Sequence, residues 1–313
     1  MIKIYSIHYI KPEFVELQYH QFKKNCNDEY ELIIVNNAFD DNTKNSIIDI
    51  CKKFNINSIK ITDNNSEKFT SQSHFFALEY ILQNYIKIDD TNNISVILDC
   101  DVFPFKKFSF IDILNGKKIC GLYQQRNINN TSYEYLSAIF TIFHNDIDLS
   151  NFTFNGIADT GSGTNILMKK YSTELVIHTA AIDIESDYIF TNNKLEYPYK
   201  QEYRCQFISN EFIHYYRGSN WSESDENYHN KKNLFLLNFI NNYNIYKLNL
   251  DDVVLYDTAH SDKGLNGVDH NYNNYRYIEK MKNENELISF FIFIINRMKI
   301  IYIITELNFQ LEK

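Results

Sequence analysis

Apolar positions in the first hundred residues switch repeatedly between two periods. KIYSIHYI (3–10) and YELIIVNNAFDD (30–41) are short apolar runs that end in polar residues, the pattern of buried strands running into turns. Between them PEFVELQYHQFKKNC (12–26) repeats apolar residues at helical spacing, with Pro12 at its start. NTKNSIIDICKKFN (42–55) predicts an amphipathic helix capped by Asn42 or Thr43. SIKITDN (58–64) follows as a short strand, then TSQSHFFALEYILQNYIK (70–87) as a helix capped by Thr70 or Ser71, then SVILDCD (95–101) as a strand. Such alternation predicts an α/β fold with a parallel sheet that binds ligands at the carboxyl ends of its strands. Both polar strand ends, VNNAFDD and ILDCD, belong to that edge.

Beyond residue 110 the pattern is mixed. KKICGLYQQR (117–126) and YLSAIFTIFH (135–144) read as strands of a more antiparallel portion, and TFNGIADTGSGTNILMKKYS (153–172) as a glycine-containing loop entering a helix. LVIHTAAIDI (175–184) and EYRCQFISNEFIHYYRG (202–218) fit helix, strand or both. Residues 220–280 are rich in Asn, Asp and Tyr and show few clear elements. There is no internal repeat, and no linker long enough to separate two independent domains.

Composition narrows the function classes. Tyr and Phe number 24 each against 8 Gly and 3 Pro, and Asn is so frequent that single Asn-rich stretches carry no functional weight. The net charge of −9, with no long Lys/Arg block, excludes nucleic-acid binding by bulk electrostatics. Five scattered cysteines without a CxxC pair suggest free thiols in a reducing compartment. The N-terminal strand pattern lacks the parts of a signal peptide, so a cytoplasmic location is expected. ELISFFIFIINRMKIIYIITEL (286–307) is strongly apolar, but Asn296, Arg297 and Lys299 interrupt it well short of a membrane span. It is expected to be a buried or amphipathic terminal helix, with 287–305 available for peripheral membrane or homo-oligomer contact.

The candidate chemistry lies in NNISVILDCDVFPFKKF (92–108). A run containing Ile94, Val96, Ile97 and Leu98 ends in Asp99 and Asp101, like charges at the mouth of a buried strand. On an extended chain, residues two apart point the same way, so both carboxylates converge on one hard cation such as Mg²⁺ or Mn²⁺. The plainer alternative is an ordinary turn after a strand.

In this order, VILDCDVFPF after KIYSIHYI, LIIVNNAFDD and the helix TSQSHFFALEYIL resembles the GT-A-type (DxD-containing) nucleotide-sugar glycosyltransferases. The resemblance covers residues 1–125 well and the remainder loosely. It implies a GT-A-like, Rossmann-type mixed sheet flanked by helices. Residues 1–221 would form the catalytic domain, with 1–125 as the nucleotide-sugar-binding half and 126–221 completing the acceptor and metal side. Residues 222–313 would be a helical or irregular extension packed on it.

The family also implies roles. Asp99 would face the donor ribose or the metal, and Asp101 would bind the metal and through it the diphosphate. Ile7, His8 and Tyr9 would line the base pocket. Asn36 and Asn37 stand where relatives often have an acidic base-contacting residue, a departure that an amide can still serve. His74 would lie near the diphosphate, and His214 would be a further metal ligand. Arg217 and Ser219 would balance the leaving diphosphate, and Trp221 would stack on a sugar or base. Asp159, in IADTGSGTNIL, would take the acceptor proton or hold sugar hydroxyls.

The implied activity is a hexosyltransferase-class transfer from a nucleotide-diphosphate sugar, UDP-linked, with Mn²⁺ or Mg²⁺, to a glycan, protein or lipid. Two alternatives stay open. One is a haloacid-dehalogenase-type phosphatase with Asp99 as nucleophile and LNLDDVVLYD (248–257) as a later acidic pair. The other is a non-catalytic carbohydrate-binding module that kept the fold.

Overall fold

The computed structural model describes residues 1–61, 71–128, 131–154, 159–178, 180–181, 206–208, 211–215 and four positions between 233 and 240. Arg217, Ser219, Trp221, LNLDDVVLYD and the 286–307 segment lie outside the described residues, as does nearly all of 222–313.

The chain opens with β1 (Ile2–His8), α1 (Glu13–Asn25), β2 (Tyr30–Asn36), α2 (Asp41–Phe54) and β3 (Asn57–Lys60). Next come α3 (Ser71–Ile81), continued by a π turn at Leu82–Ile86, then β4 (Ile94–Asp99), β5 (Val102–Pro104) and α4 (Phe110–Leu114). β6 (Ile119–Ile128) and β7 (Thr131–His144) precede a 3-10 turn at Ser162–Thr164, α5 (Asn165–Lys170) and β8 (Leu175–His178). Three short strands follow: β9 (Ala180–Ala181), β10 (Gln206–Ile208) and β11 (Phe212–His214).

The main sheet has seven strands in the order β3-β2-β1-β4-β7-β6-β8. β3, β2, β1 and β4 run parallel, β7 is antiparallel to both β4 and β6, and β8 is parallel to β6. The expected parallel half and antiparallel continuation are therefore both present. A second sheet, β5-β11-β10-β9, is antiparallel throughout.

Both faces of the parallel half are covered, which is why its strands read as nearly continuous apolar runs. Ile2, Ile4, Ile34, Val96 and Leu98 pack with Val15, Phe22, Ile47 and Phe212 on one face. Tyr5, Ile7, Val35 and Ile97 pack with Leu78, Ile81 and Met168 on the other. β4 alternates between the two cores, so Asp99, in step with Ile97, ends the strand on the α3 face.

α1 departs from simple amphipathicity. Gln18, Gln21 and Asn25 are buried, within the same stripe as Val15 and Phe22. Gln18 Nε2 donates to the Val102 carbonyl at 3.0 Å, and Asn25 Nδ2 donates to the Pro104 carbonyl at 3.0 Å and to Gln21 Oε1 at 3.2 Å. β5 pairs with β11 along one edge. Side-chain amides of α1 thus satisfy the other edge, where backbone carbonyls would otherwise be buried without donors.

Two local expectations change. α2 is capped by Asp40, whose Oδ1 accepts from the Thr43 amide at 2.9 Å, so Thr43 is the donor and neither it nor Asn42 is the cap. The strand expected through 101 ends at Asp99, and Cys100 and Asp101 form a turn into β5.

Gly161 ends the Asp159 loop at φ +92°, and a Cβ there would stand 2.7 Å from the Ala138 backbone nitrogen on β7. Gly116 has φ +69° but nothing within 4 Å of the same position. Gly161→Ala is expected to cost about 2–4 kcal/mol, from left-handed strain plus a backbone clash. Gly116→Ala should cost about 1 kcal/mol. Urea unfolding of the two variants measures the difference; equal losses would show that the β7 contact has no energetic weight.

Candidate active site

The site is built around the turn that carries the two carboxylates. Asp99 Oδ1 lies 3.0 Å from His74 Nε2 on α3, with roughly a quarter of each side chain exposed. The contact is an ion pair by distance without hydrogen-bond alignment, and Asp99 Oδ1 is a buried oxygen lacking a hydrogen-bond donor. Asp101 Oδ1 lies 3.2 Å from His214 Nε2 on β11, and both side chains are almost fully buried. The Asp101 carbonyl accepts from the Tyr215 amide at 2.8 Å, tying the turn to the end of β11.

Each carboxylate therefore faces its own imidazole. Burial is the largest single influence on His74 and would lower its pKa, but the carboxylates of Asp99, Asp159 and Asp101 together offset it and hold the pKa above the ordinary value. His74 thus favours its charged form and offsets part of the repulsion between the acids. Cys100, between them, is buried, and burial together with Asp101 and Asp99 pushes its thiol well up. That leaves it an inert thiol at neutral pH.

Asn36 and Asn37 are turned inward. Asn36 Nδ2 donates to the Lys44 carbonyl at 3.0 Å while its Oδ1 accepts from the Ala38 amide, which fastens β2 to the start of α2. Asn37 Nδ2 donates to the Ser73 carbonyl at 3.2 Å and to Ser73 Oγ at 3.1 Å, fastening β2 to α3 one residue before His74. Both side chains are almost wholly buried, so their amides serve the scaffold and not a base pocket. Of the expected pocket-lining trio, Ile7 is in the core, His8 is buried, and Tyr9 alone keeps partial exposure. His8 Nε2 lies 3.1 Å from both Ser6 Oγ and Gln18 Oε1, on the α1 side of the sheet.

Asp159 stands at the same edge, close enough to act electrostatically on His74. Its Oδ2 accepts from Arg126 Nη2 of β6 at 2.6 Å, and its Oδ1 accepts from the Thr160 amide at 2.8 Å. No motif in the sequence marks Arg126. It lies in a strand pattern that marks no function, and its partner is 33 residues away.

The donors present suit a hard divalent cation, being two carboxylates and an imidazole. Among the described residues no three His, Cys, Asp or Glu side chains already form a group that could hold a metal ion. Two observations nevertheless fit a cation. One is the buried Oδ1 of Asp99, whose 3.0 Å contact with His74 lacks hydrogen-bond alignment. The other is the 3.2 Å between Asp101 and His214, close to the ~3 Å between neighbouring donors on an octahedral ion.

No protein-family model matches the chain, and no curated protein matches it. Solved structures similar to it include glycosyltransferases. The mannosyltransferase PcManGT from Pyrobaculum calidifontis, in complex with GDP-Man and Mn²⁺, is 13% identical over 62% of this chain and 60% of that chain, with a TM-score of 0.39. The galactosyltransferase LgtC, in complex with donor and acceptor sugar analogs, is 10% identical over 63% and 81%, with a TM-score of 0.37. S. aureus TarS 1–349 is 13% identical over 56% and 57%, with a TM-score of 0.36. The chain thus spans about three fifths of the PcManGT chain and of the TarS 1–349 chain. No helix among the described residues is long and apolar enough to cross a membrane.

Burial of His8, only partly offset by its Gln18 hydrogen bond and by Asp101, lowers its pKa from 6.5 to about 4. The unfolded chain therefore binds more protons between these values, so this group's contribution is complete above about 6.5 and is lost as pH falls toward about 4. His8→Gln should flatten the decline in unfolding free energy over that window, by as much as about 3 kcal/mol. Urea titrations at pH 7 and pH 4.5 measure it; parallel declines in the variant and the parent would contradict the assignment.

Proposed function

We propose that the chain is a metal-dependent glycosyltransferase that uses a nucleotide-diphosphate sugar, UDP-linked in the first instance. The observation that carries this reading is the pair of carboxylates at the carboxyl end of β4, in the middle of an α/β sheet, each set against an imidazole. That edge is where such sheets bind ligands.

Asp99, Asp101 and His214 would hold Mn²⁺ or Mg²⁺. The bound cation would supply positive charge against the diphosphate oxygens as the sugar departs. His74, charged beside Asp99, adds positive potential at the same edge, and Tyr9 offers a partly exposed ring at the end of β1. Arg217, Ser219 and Trp221 follow β11 by a few residues, and are assigned to the leaving diphosphate and to stacking. Asp159 is assigned to the acceptor side. Because Arg126 holds one of its oxygens and the Thr160 amide the other, orienting sugar hydroxyls asks less rearrangement of it than proton removal. The acceptor is a glycan, protein or lipid. Residues 1–221 form the catalytic part and 222–313 an extension that completes the acceptor side or mediates association.

The test is a panel of nucleotide sugars with Mn²⁺, scored for released nucleotide, on the parent chain and on Asp101→Asn. Cation-dependent release is expected in the parent, falling on the order of 100-fold or more in the variant. Full activity in Asp101→Asn would refute the assignment. Trapping of a phosphate mimic on Asp99 without nucleotide release would favour the phosphatase alternative.

A further inference from the structure

The acid-bearing turn is held from behind by a residue that no sequence motif marks. Gln18, in the middle of α1, is fully buried, as are Ser6 and His8 beside it. Its Nε2 donates to the Asp99 carbonyl at 3.0 Å and to the Val102 carbonyl at 3.0 Å. Those two carbonyls bracket Cys100 and Asp101, so one nitrogen pins both ends of the turn. Its Oε1 accepts from Ser6 Oγ at 2.7 Å and lies 3.1 Å from His8 Nε2. Two donors and two acceptor sites are the whole capacity of a primary amide, and all four are engaged. Turning the amide over would set its oxygen against two carbonyl oxygens, so the partners fix its orientation. With the His8 proton on Nε2, that nitrogen donates to Gln18 and leaves Nδ1 as the bare acceptor. Nδ1 is the His8 atom that has no partner in the structure.

We propose that Gln18 is a positioning residue: a four-bond amide clamp, braced by Ser6 and His8, that sets where the Asp99 and Asp101 carboxylates stand. The turn has reason to need one. Two like charges two residues apart push it open and β4 has already ended, while from the other side Tyr215 N donates to Asp101 O at 2.8 Å. The pull comes through backbone carbonyls, so Gln18 itself engages neither carboxylate. Neighbouring Asn25 makes the matching bond to Pro104 O, beyond the turn, and serves as the internal control. The effect on cation binding rests on the transferase reading above; the effect on the turn does not.

The test compares the full chain with Gln18→Leu, Gln18→Glu and Asn25→Leu by two readouts. The first is the alkylation rate of each cysteine by iodoacetamide, resolved by mass spectrometry. Cys100 sits in the turn, while Cys51 and Cys120 are buried elsewhere and report global loosening. The second is affinity for Mn²⁺ alone, by electron paramagnetic resonance. Gln18→Leu should raise the Cys100 rate about tenfold relative to Cys51 and Cys120. It should also weaken Mn²⁺ binding about 10- to 100-fold. Asn25→Leu should leave both within about twofold. Gln18→Glu keeps the volume and the acceptors but loses the donors, so it should resemble Gln18→Leu and stands in if that variant fails to fold. An unchanged Cys100 rate, or an equal rise at all three cysteines, would overturn the clamp. A selective rise at Cys100 in Gln18→Leu, together with a parent chain that binds no Mn²⁺, would uphold the clamp and refute the cation site.

Discussion

Two carboxylates two residues apart, at the mouth of a strand buried on both faces, repel each other in a place where water screens poorly. That constraint organises the elements around β4. α3 brings His74 against Asp99, β11 brings His214 against Asp101, and Tyr215 and Gln18 hold the backbone of the turn between them. The compensation is local and separate for each acid. The strand ends at Asp99, and the turn at Cys100 and Asp101 hands the second carboxylate to the smaller sheet.

The scaffold reaches this arrangement with amides where a simpler protein would use apolar contacts. Gln18 and Asn25 serve the free edge of β5, Asn36 fastens β2 to α2, and Asn37 fastens β2 to the turn of α3 that carries His74. Each joins a strand end or edge to a helix through a buried backbone carbonyl. A fully satisfied buried amide fixes geometry more narrowly than a methyl group can, and a half-satisfied one is costly. The chemistry-bearing side chains therefore stand on a frame with little freedom to drift.

Much of this architecture is legible in the sequence because burial on both faces leaves its mark as unbroken apolar runs. β1, β2 and β4, the helices between them and the antiparallel pair β6 and β7 all follow from periodicity. The Asp99–Asp101 pair is legible because charge directly after such a run is conspicuous. Long-range partnership is not. Gln18 bonds to a carbonyl 81 residues away, and no local pattern encodes that. The one available signal is that Gln18 and Asn25 fall in the apolar stripe of Val15 and Phe22, as amides and never as charges. Polar residues at strand ends usually face the crevice, which makes Asn36, Asn37 and His8 look like ligand contacts in the sequence. Here the helices crossing those ends claim them first. The α2 cap lies two or three residues before the expected Asn42 or Thr43 because Asp40, Asn42 and Thr43 are all competent caps, and only backbone conformation separates them.

The central claim is that the turn at Asp99–Asp101 holds a divalent cation which in turn holds a nucleotide diphosphate. Calorimetric titration of the full chain with UDP, with and without Mn²⁺, tests it most directly. The account predicts saturable binding with the cation present and none measurable in its absence. Equal binding in both conditions, or no binding in either, would contradict it.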